Sequence, residues 1–435
     1  MSTRVERGVY AFLILVLLAG AFRAADKADE DRSAFNRWRH QLLKLKDGVD
    51  ISAADNYPNP PIMAVILEPL AYLPPVTGAL CWYLLKVLMA IAAFVGMVRL
   101  IEAGGAEFPS WARVLAALLS LKPVLDDLSH GNVNIFILFL VVACFVARQH
   151  RWDGLSGGCL ALAIACKVTP ALLVPYFLYK RAWGVLIGTA VGLMLFLAPG
   201  FVPAARLGMD HNQRQLTSWF NVMVKPFILE GKVTAEHINQ SLPGLTHRLL
   251  TPTPSFVIFV DGHETPARYD NFLSLAPETA GRLTKLALVA FLAVVVWSCR
   301  STRRAGWQVG AEAGLIALGM LLFSERTWKH HAVTMMIPFV VLAYGVAREP
   351  RLWGVVAGSF VLMLLPGLGG GNERETVWKS PPFNKMVLVY GAYTWLFLLL
   401  SVTMVWQLRR GAGGASQAGN DVPSAGKTAS LTQAA

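Results

Sequence analysis

Long apolar runs that carry little or no charge limit most strongly what this chain can fold into. Gly8 to Phe22, Gly131 to Ala147 and Ala182 to Ala205 hold no charged residue, and Thr77 to Val98 holds only Lys86. These runs lack the polar partners that helical or strand periodicity would supply in a soluble domain. About 20 apolar residues match a hydrocarbon core of roughly 30 Å, so the chain reads as an all-α polytopic membrane protein. Composition agrees. Over the 435 residues, 55% are hydrophobic and 15% are charged, against about 25% charged in an ordinary soluble domain. A barrel would alternate polar and apolar residues in segments of about ten, which this sequence does not do. Disorder as the main state, a disulfide scaffold and a coiled coil fit equally poorly.

The net charge of +12 would suggest nucleic acid as a partner in a soluble protein. Here the basic residues sit in short bends between apolar runs, as membrane topology demands, so no nucleic-acid partner is expected. Cys81, Cys144, Cys159, Cys166 and Cys299 lie in or at the ends of apolar runs, with no CxxC pair, and read as small buried hydrophobes.

The first run could be a signal peptide, but an uncleaved first transmembrane helix is the preferred reading, with Arg23 snorkelling to the interface. The prolines of Tyr57-Pro-Asn-Pro-Pro exclude regular helix there. Ile62 to Leu73, interrupted by Glu68, reads as a short re-entrant or interfacial helix. Further spans are Trp111–Leu125, Leu286–Cys299, Ala313–Ser324 (able to start earlier, with Glu312 buried), Ala332–Ala347, Leu352–Leu368 and Met386–Leu408. Leu155–Tyr179 is split by Lys167-Val-Thr-Pro into halves of about 18 Å, too short to span singly but tolerated where protein or a cavity satisfies the backbone. The total is 10–12 spans.

The Lys/Arg bias puts both termini in the cytoplasm, with residues 26–61 as a first outer loop and 206–285 as a long outer loop. Residues 1–408 are expected to form one integral membrane domain, and 409–435, rich in Gly, Ala and Ser, a disordered cytoplasmic tail. The location expected from this topology and the resemblance below is a bacterial inner membrane. No internal repeat is evident.

Five polar clusters fall on the outer side. Asp26, Asp29, Glu30 and Asp31 follow the first helix; they could supply a general base toward a hydroxyl, or be a solvated charge run. Asp126, Asp127, His130 and Asn132 could bind a cation or merely cap a tight bend. Lys167 is costly inside an apolar stretch and should face a polar cavity or an anion. Asn239, Gln240 and Ser241, with His247 and Arg248, suit sugar hydroxyls or phosphate, and Asn-Gln-Ser also fits a glycosylation sequon. Glu325-Arg-Thr-Trp-Lys-His-His opens a span; adjacent His330 and His331 do not share a helical face, so holding a phosphate is easier than a shared metal. There is no P-loop, nucleophile elbow, HExxH or Rossmann glycine fingerprint, and no cofactor is expected.

Taken in order, five motifs resemble those of glycosyltransferase family 87, the polyprenyl-phosphate-mannose-dependent mannosyltransferases of the C-type (GT-C) superfamily. Tyr57-Pro-Asn-Pro-Pro through Glu68-Pro-Leu to Leu73-Pro resembles its "YPP…PL…LP" segment. His130-Gly-Asn-Val-Asn resembles "GQxN", and Lys167-Val-Thr-Pro resembles "KxTP". Asn239-Gln-Ser with Arg248 resembles "NQS…R", and Trp328-Lys-His-His resembles "WxHH". The resemblance covers Arg4 to Leu408. It departs where Asn59 interrupts the Tyr-Pro-Pro run, where Asn132 stands for the usual Gln, and in the crowded acidic first loop.

The resemblance implies a GT-C-like enzyme with an extracytoplasmic active site, a polyprenyl-phosphate sugar as donor and inversion at the anomeric centre. It implies that an Asp of the first outer loop acts as base, best matched by Asp31 ahead of Phe35, with Asp29 and Asp26 as alternates. Lys167, Asn239, Gln240, Arg248, His330 and His331 would then hold the donor phosphate and sugar, with Tyr57, His130 and Asn132 as further candidates. The acceptor would be a lipid or glycan; metal dependence and oligomeric state are open. A phosphate leaving group needs little proton donation, unlike the alkoxide in glycoside hydrolysis, so one base and several cations suffice. The rivals are a lipid-linked glycan polymerase or ligase, and a transporter or flippase. A transporter would place polar residues along a midplane path and show internal repeats.

Overall fold

The computed structural model describes residues 3–30, 32–105, 107–260, 263–302, 304–368 and 381–418. Helix α1 (Thr3–Asp29) contains the whole first apolar run. The first outer loop then folds into α2 (Ala34–Lys44), capped by Ser33, and the one-turn α3 (Ile51–Asp55), capped by Asp50. Pro61 opens α4 (Pro61–Ala71), the short helix expected as re-entrant, and Pro75 opens α5 (Pro75–Glu102). Proline suits these first-turn positions because its missing N–H would have no helical partner there.

Helices α6 (Ser110–His130) and α7 (Asn134–Gln149) meet at Gly131, whose φ of +80° closes the turn. A side chain there would also press on the Phe35 backbone N, 3.3 Å from the Cβ position. Helix α8 (Asp153–Cys166) stops at Lys167 as the sequence predicts, and a 3-10 turn (Thr169–Leu172) leads into α9 (Leu173–Tyr179) and α10 (Trp183–Leu197). Helices α8 and α10 pack through glycines. A Cβ on Gly157 would fall 2.3 Å from the Val185 carbonyl oxygen, and one on Gly192 2.5 Å from the Ala161 side chain. Such close backbone approach is the usual device where lipid supplies no hydrophobic drive between helices.

The long outer segment contains α11 (Val202–Leu207), α12 (Met209–Trp219), a π-helical continuation (Phe220–Leu229) and α13 (Leu242–Leu250). It also contains an antiparallel hairpin, β1 (Phe256–Val260) with β2 (His263–Arg268), paired Val260 to His263 and Val257 to Pro266. This hairpin departs from the purely helical expectation. Helix α14 (Pro277–Ser298) starts well before the expected Leu286, because its first turns are polar but still helical.

Helix α15 (Trp307–Leu322) begins early enough to bury Glu312, as the sequence allows. A 3-10 segment (Lys329–Met335) precedes α16 (Met336–Val346), followed by α17 (Trp353–Leu364), α18 (Phe383–Val389) and α19 (Ala392–Ala418). Helix α19 runs past the boundary at 409 expected for a disordered tail; residues 419–435 of that tail lie outside the described residues.

Among the described residues, five helices are long and apolar enough to cross a membrane, or six if the bent α18–α19 pair counts as one span. Shorter apolar helices, including α4, α7, α8 and α15, accompany them. Leu286 and Val289 on α14, Ile187 on α10 and Val402 on α19 point outward, exposed. Apolar side chains on the outside of long helices face lipid. The continuous core lies between α5, α6, α7, α15, α16 and α19.

Candidate active site

A cavity of about 1110 Å³ opens where the first outer loop, the α6–α7 turn, the α8–α9 break, the π-helical segment and the turn before α16 meet. Its wall includes Arg37 and Trp38 from α2, His130 and Asn132 from the turn, Lys167 and Thr169 from the break, and Glu325 and His331 from the last segment. Three of the five polar clusters read from sequence therefore reach one place in part.

Lys167 ends α8 because its own backbone is extended (φ −156°, ψ 125°), and the chain resumes as a 3-10 turn with Pro170 in its first positions. Its ammonium donates to Asn134 Oδ1 at 2.6 Å. Asn134 in turn donates through Nδ2 to Asp127 Oδ1 at 3.1 Å, and Asp127 Oδ2 lies 3.2 Å from the Lys86 ammonium. Lys86 also donates to the backbone carbonyls of Asp127 (2.8 Å) and Asn132 (3.0 Å). Lys86 and Asp127 are fully buried. Asp127 is thus the partner of a charge in a membrane helix, and it does not reach the cavity wall. Among the described residues, no three His, Cys, Asp or Glu side chains come together as a metal site.

The two histidines of the Trp-Lys-His-His turn diverge. His330 is buried and stacks on His130, with ring centroids 3.9 Å apart, and its Nε2 lies 3.1 Å from Asn132 Nδ2. His331 faces the cavity, and its Nδ1 accepts from the Trp328 backbone N–H at 3.4 Å.

Asn239, Gln240 and Arg248 are not on the cavity wall. All three are fully buried and turned to backbone groups. Asn239 donates to the carbonyls of Thr234 (2.7 Å) and Glu325 (2.8 Å) and accepts from the Thr327 N–H (2.9 Å). Gln240 donates to the carbonyls of His237 (2.6 Å) and Leu388 (2.8 Å). Arg248 reaches the carbonyls of Val389 (2.8 Å), Ala235 (2.9 Å), Glu236 (2.8 Å), Asn239 (3.1 Å) and Leu388 (3.4 Å). Burial pulls the Arg248 pKa down to about 9, still above neutrality, so it stays a cation. These groups fasten the long outer loop to the turn that presents Glu325 and His331, and to the start of α19.

Asp31 lies outside the described residues. Asp26 and Asp29 are exposed at the end of α1 and border a separate shallow hollow with Arg23 and Lys27. Tyr57 is buried with its ring edge-on to Trp38, centroids 6.1 Å apart, behind the cavity wall. Arg37, Asp55 and Trp219 also line the wall. Arg37 stands on an amphipathic helix, Asp55 is paired with Lys44 at 2.7 Å, and Trp219 donates to the Pro58 carbonyl at 3.2 Å. Asp55 stands just before the Tyr57–Pro61 proline run; Arg37 and Trp219 carry no comparable local signal.

The sequence profile of glycosyltransferase family 87 matches residues 57–324. A polyprenol-phosphate-mannose-dependent alpha-(1-2)-phosphatidylinositol mannoside mannosyltransferase of Mycolicibacterium smegmatis is 26% identical over 379 residues, 81% of this chain and 76% of that protein. A polyprenol-phosphate-mannose-dependent alpha-(1-2)-phosphatidylinositol pentamannoside mannosyltransferase of Mycobacterium tuberculosis is 27% identical over 71% of this chain and 63% of its own length. The crystal structure of ArnT from Cupriavidus metallidurans in the apo state superposes with a TM-score of 0.42 at 13% identity, covering 95% of this chain and 80% of that one.

Proposed function

The chain belongs to glycosyltransferase family 87, and from that premise we propose that it moves mannose from polyprenyl-phosphate mannose to a hydroxyl of a lipid or glycan acceptor. The acceptor class is a lipid-borne mannoside, the kind named for its relatives. The reaction takes place at the extracytoplasmic face, with both termini in the cytoplasm and residues 1–408 acting as one catalytic unit in a bacterial inner membrane.

The observation that carries this reading is the cavity itself. Lys167, His130, Asn132 and His331 come from three separate helix junctions to one wall. Among the described residues, its cations, Arg37, Lys167, Lys232 and Arg326, outnumber its carboxylates, Asp55 and Glu325. That balance suits a lipid-borne phosphate leaving group.

The Asp31 carboxylate takes the proton of the acceptor hydroxyl, and the freed oxygen attacks C1 of the mannose from the face opposite the phosphate. The C1–O(phosphate) bond breaks, its electron pair stays on the phosphate, and the configuration at C1 inverts. Lys167 neutralises the charge that develops on the leaving oxygen, with His331 beside it. Support for Asp31 is that Ala34, close along the chain, lines the cavity, whereas Asp26 and Asp29 border a different hollow. His330, through His130 and Asn132, sets the shape of the wall. Asn239, Gln240 and Arg248 act by positioning that wall.

The test is transfer by the purified chain in liposomes, with labelled polyprenyl-phosphate mannose and a mannolipid acceptor. Product formed without an ion gradient is the expected result. Movement of the donor across the bilayer without new glycosidic product would establish the transporter reading instead.

A further inference from the structure

Glu325 is a carboxylate that the mechanism above does not use. It lies on the cavity wall, half-buried, beside a buried turn. Its side chain accepts one hydrogen bond among the described residues, from the Ser324 hydroxyl at 3.4 Å. No cation of the described residues forms an ion pair with it within 4.0 Å, although Lys167 is near enough for electrostatic attraction. Ionised carboxylates present about four lone-pair sites, so most of its accepting capacity remains open toward the cavity.

The backbone that presents Glu325 is held on both sides. Asn239 binds the Glu325 carbonyl at 2.8 Å and the Thr327 N–H at 2.9 Å, and the Gln240 N–H binds the Thr327 carbonyl at 2.6 Å. Thr327 Oγ1 anchors to the Leu321 carbonyl at 2.7 Å, and Arg326 lies over the Phe227 ring, 4.2 Å from its centroid. A carboxylate carried on backbone held in this way, with free acceptor sites and a neighbouring lysine, has the composition of a polyol-binding group. Hydroxyl pairs on a hexose donate to such a carboxylate, and these charge-assisted bonds are roughly twice as strong as neutral ones.

We propose that Glu325 is a sugar-recognition residue whose carboxylate accepts hydrogen bonds from hydroxyls of the hexose carried on the lipid phosphate. This rests on the reading that Lys167 holds that phosphate, because the two side chains then grip adjacent parts of one donor. Glu325 acts in selecting the sugar and takes no proton in the transfer.

The experiment compares polyprenyl-phosphate mannose with its four singly deoxygenated mannosyl counterparts (2-, 3-, 4- and 6-deoxy), using the full chain in liposomes. Wild type is expected to prefer the complete sugar over at least one deoxy donor by about 10- to 100-fold in kcat/KM, the range for a lost hydrogen bond to a charged group. In Glu325→Ala and in the isosteric Glu325→Gln that preference falls to within about threefold, because the complete sugar loses rate and the matching deoxy donor does not. The isosteric variant carries the test if the alanine variant fails to fold. Equal losses on all five donors would make Glu325 only a counter-ion of Lys167, and unchanged preference would remove it from the sugar site; either result overturns the proposal. If wild type neither binds nor transfers from any of these donors, the proposed function fails, and this inference fails with it.

Discussion

The Lys167 ammonium donates to Asn134 Oδ1 at 2.6 Å, and through Asn134 it is tied to the buried Asp127–Lys86 ion pair. The cation offered to the cavity is therefore aimed from inside the helix bundle. Asn134→Leu removes the anchor while keeping the charge. Its expected signature is a rise in KM for the lipid donor of about tenfold with a smaller change in kcat, whereas Lys167→Met lowers kcat/KM by about 10²- to 10³-fold. Steady-state transfer assays in liposomes separate the two.

Asp31→Asn is expected to lower transfer by about 10²- to 10⁴-fold, the usual contribution of a general base. Asp26→Asn and Asp29→Asn, on exposed residues outside the cavity, should stay within a few-fold of wild type. Full activity in a folded Asp31→Asn protein would move the base elsewhere. The same assay, run with each variant at matched expression and monodispersity, decides it.

Arg248 satisfies carbonyls of the outer loop and of the α18–α19 junction from a fully buried position. Arg248→Met leaves those carbonyls without donors, so a loss of about 3 kcal/mol or more is expected. It should appear as a lower thermal midpoint in detergent. A phosphate ligand lost from the cavity would instead leave the midpoint unchanged and raise KM.

His237 gives a pH dependence to the outer loop. Its ring stacks on Phe256, centroids 4.2 Å apart, and Nδ1–H donates to the Ser255 carbonyl at 3.3 Å. Burial, with Lys385 second, lowers its pKa to about 3. The unfolded loop binds a proton below about pH 6.5 and the folded loop does not until about pH 3, so folding weakens as pH falls through that window. Amide exchange in the strand from Phe256 should accelerate between pH 6.5 and 4 relative to its intrinsic rate. His237→Gln should flatten that trend.

Much of the helical layout was legible because hydrocarbon leaves little choice. Uncharged runs become helices, and Lys167-Val-Thr-Pro breaks one where expected. The polar clusters were legible as costly residues, but their destinations were not. Arg248, Asn239 and Gln240 are the residue types that bind phosphate and sugar, and they are equally suited to backbone carbonyls. Only the tertiary arrangement shows which they meet. Lys86 read as an isolated charge within a span, because its partner Asp127 lies 41 residues away. The hairpin has a local signal in the sequence: Asp-Gly at positions 261–262 separates the segments of β1 and β2, and this dipeptide favours two-residue turns. Helix α14 starts earlier than its apolar run because Arg282 and Lys285, although they resemble loop residues, are carried as readily on a helix's solvated first turns.

The glycine seam between α8 and α10 has a consequence for assembly. With backbone against backbone at Gly157 and Gly188, the two helices have no compressible side-chain layer between them. Sliding one past the other would drive carbonyls into neighbouring chain, so the pair behaves as a single rigid stave. Lys167 is mounted on the end of that stave. Changes in lateral pressure or bilayer thickness will therefore tilt the lysine together with both helices, and the fit between this enzyme and its lipid substrate becomes sensitive to the membrane in which the two are dissolved.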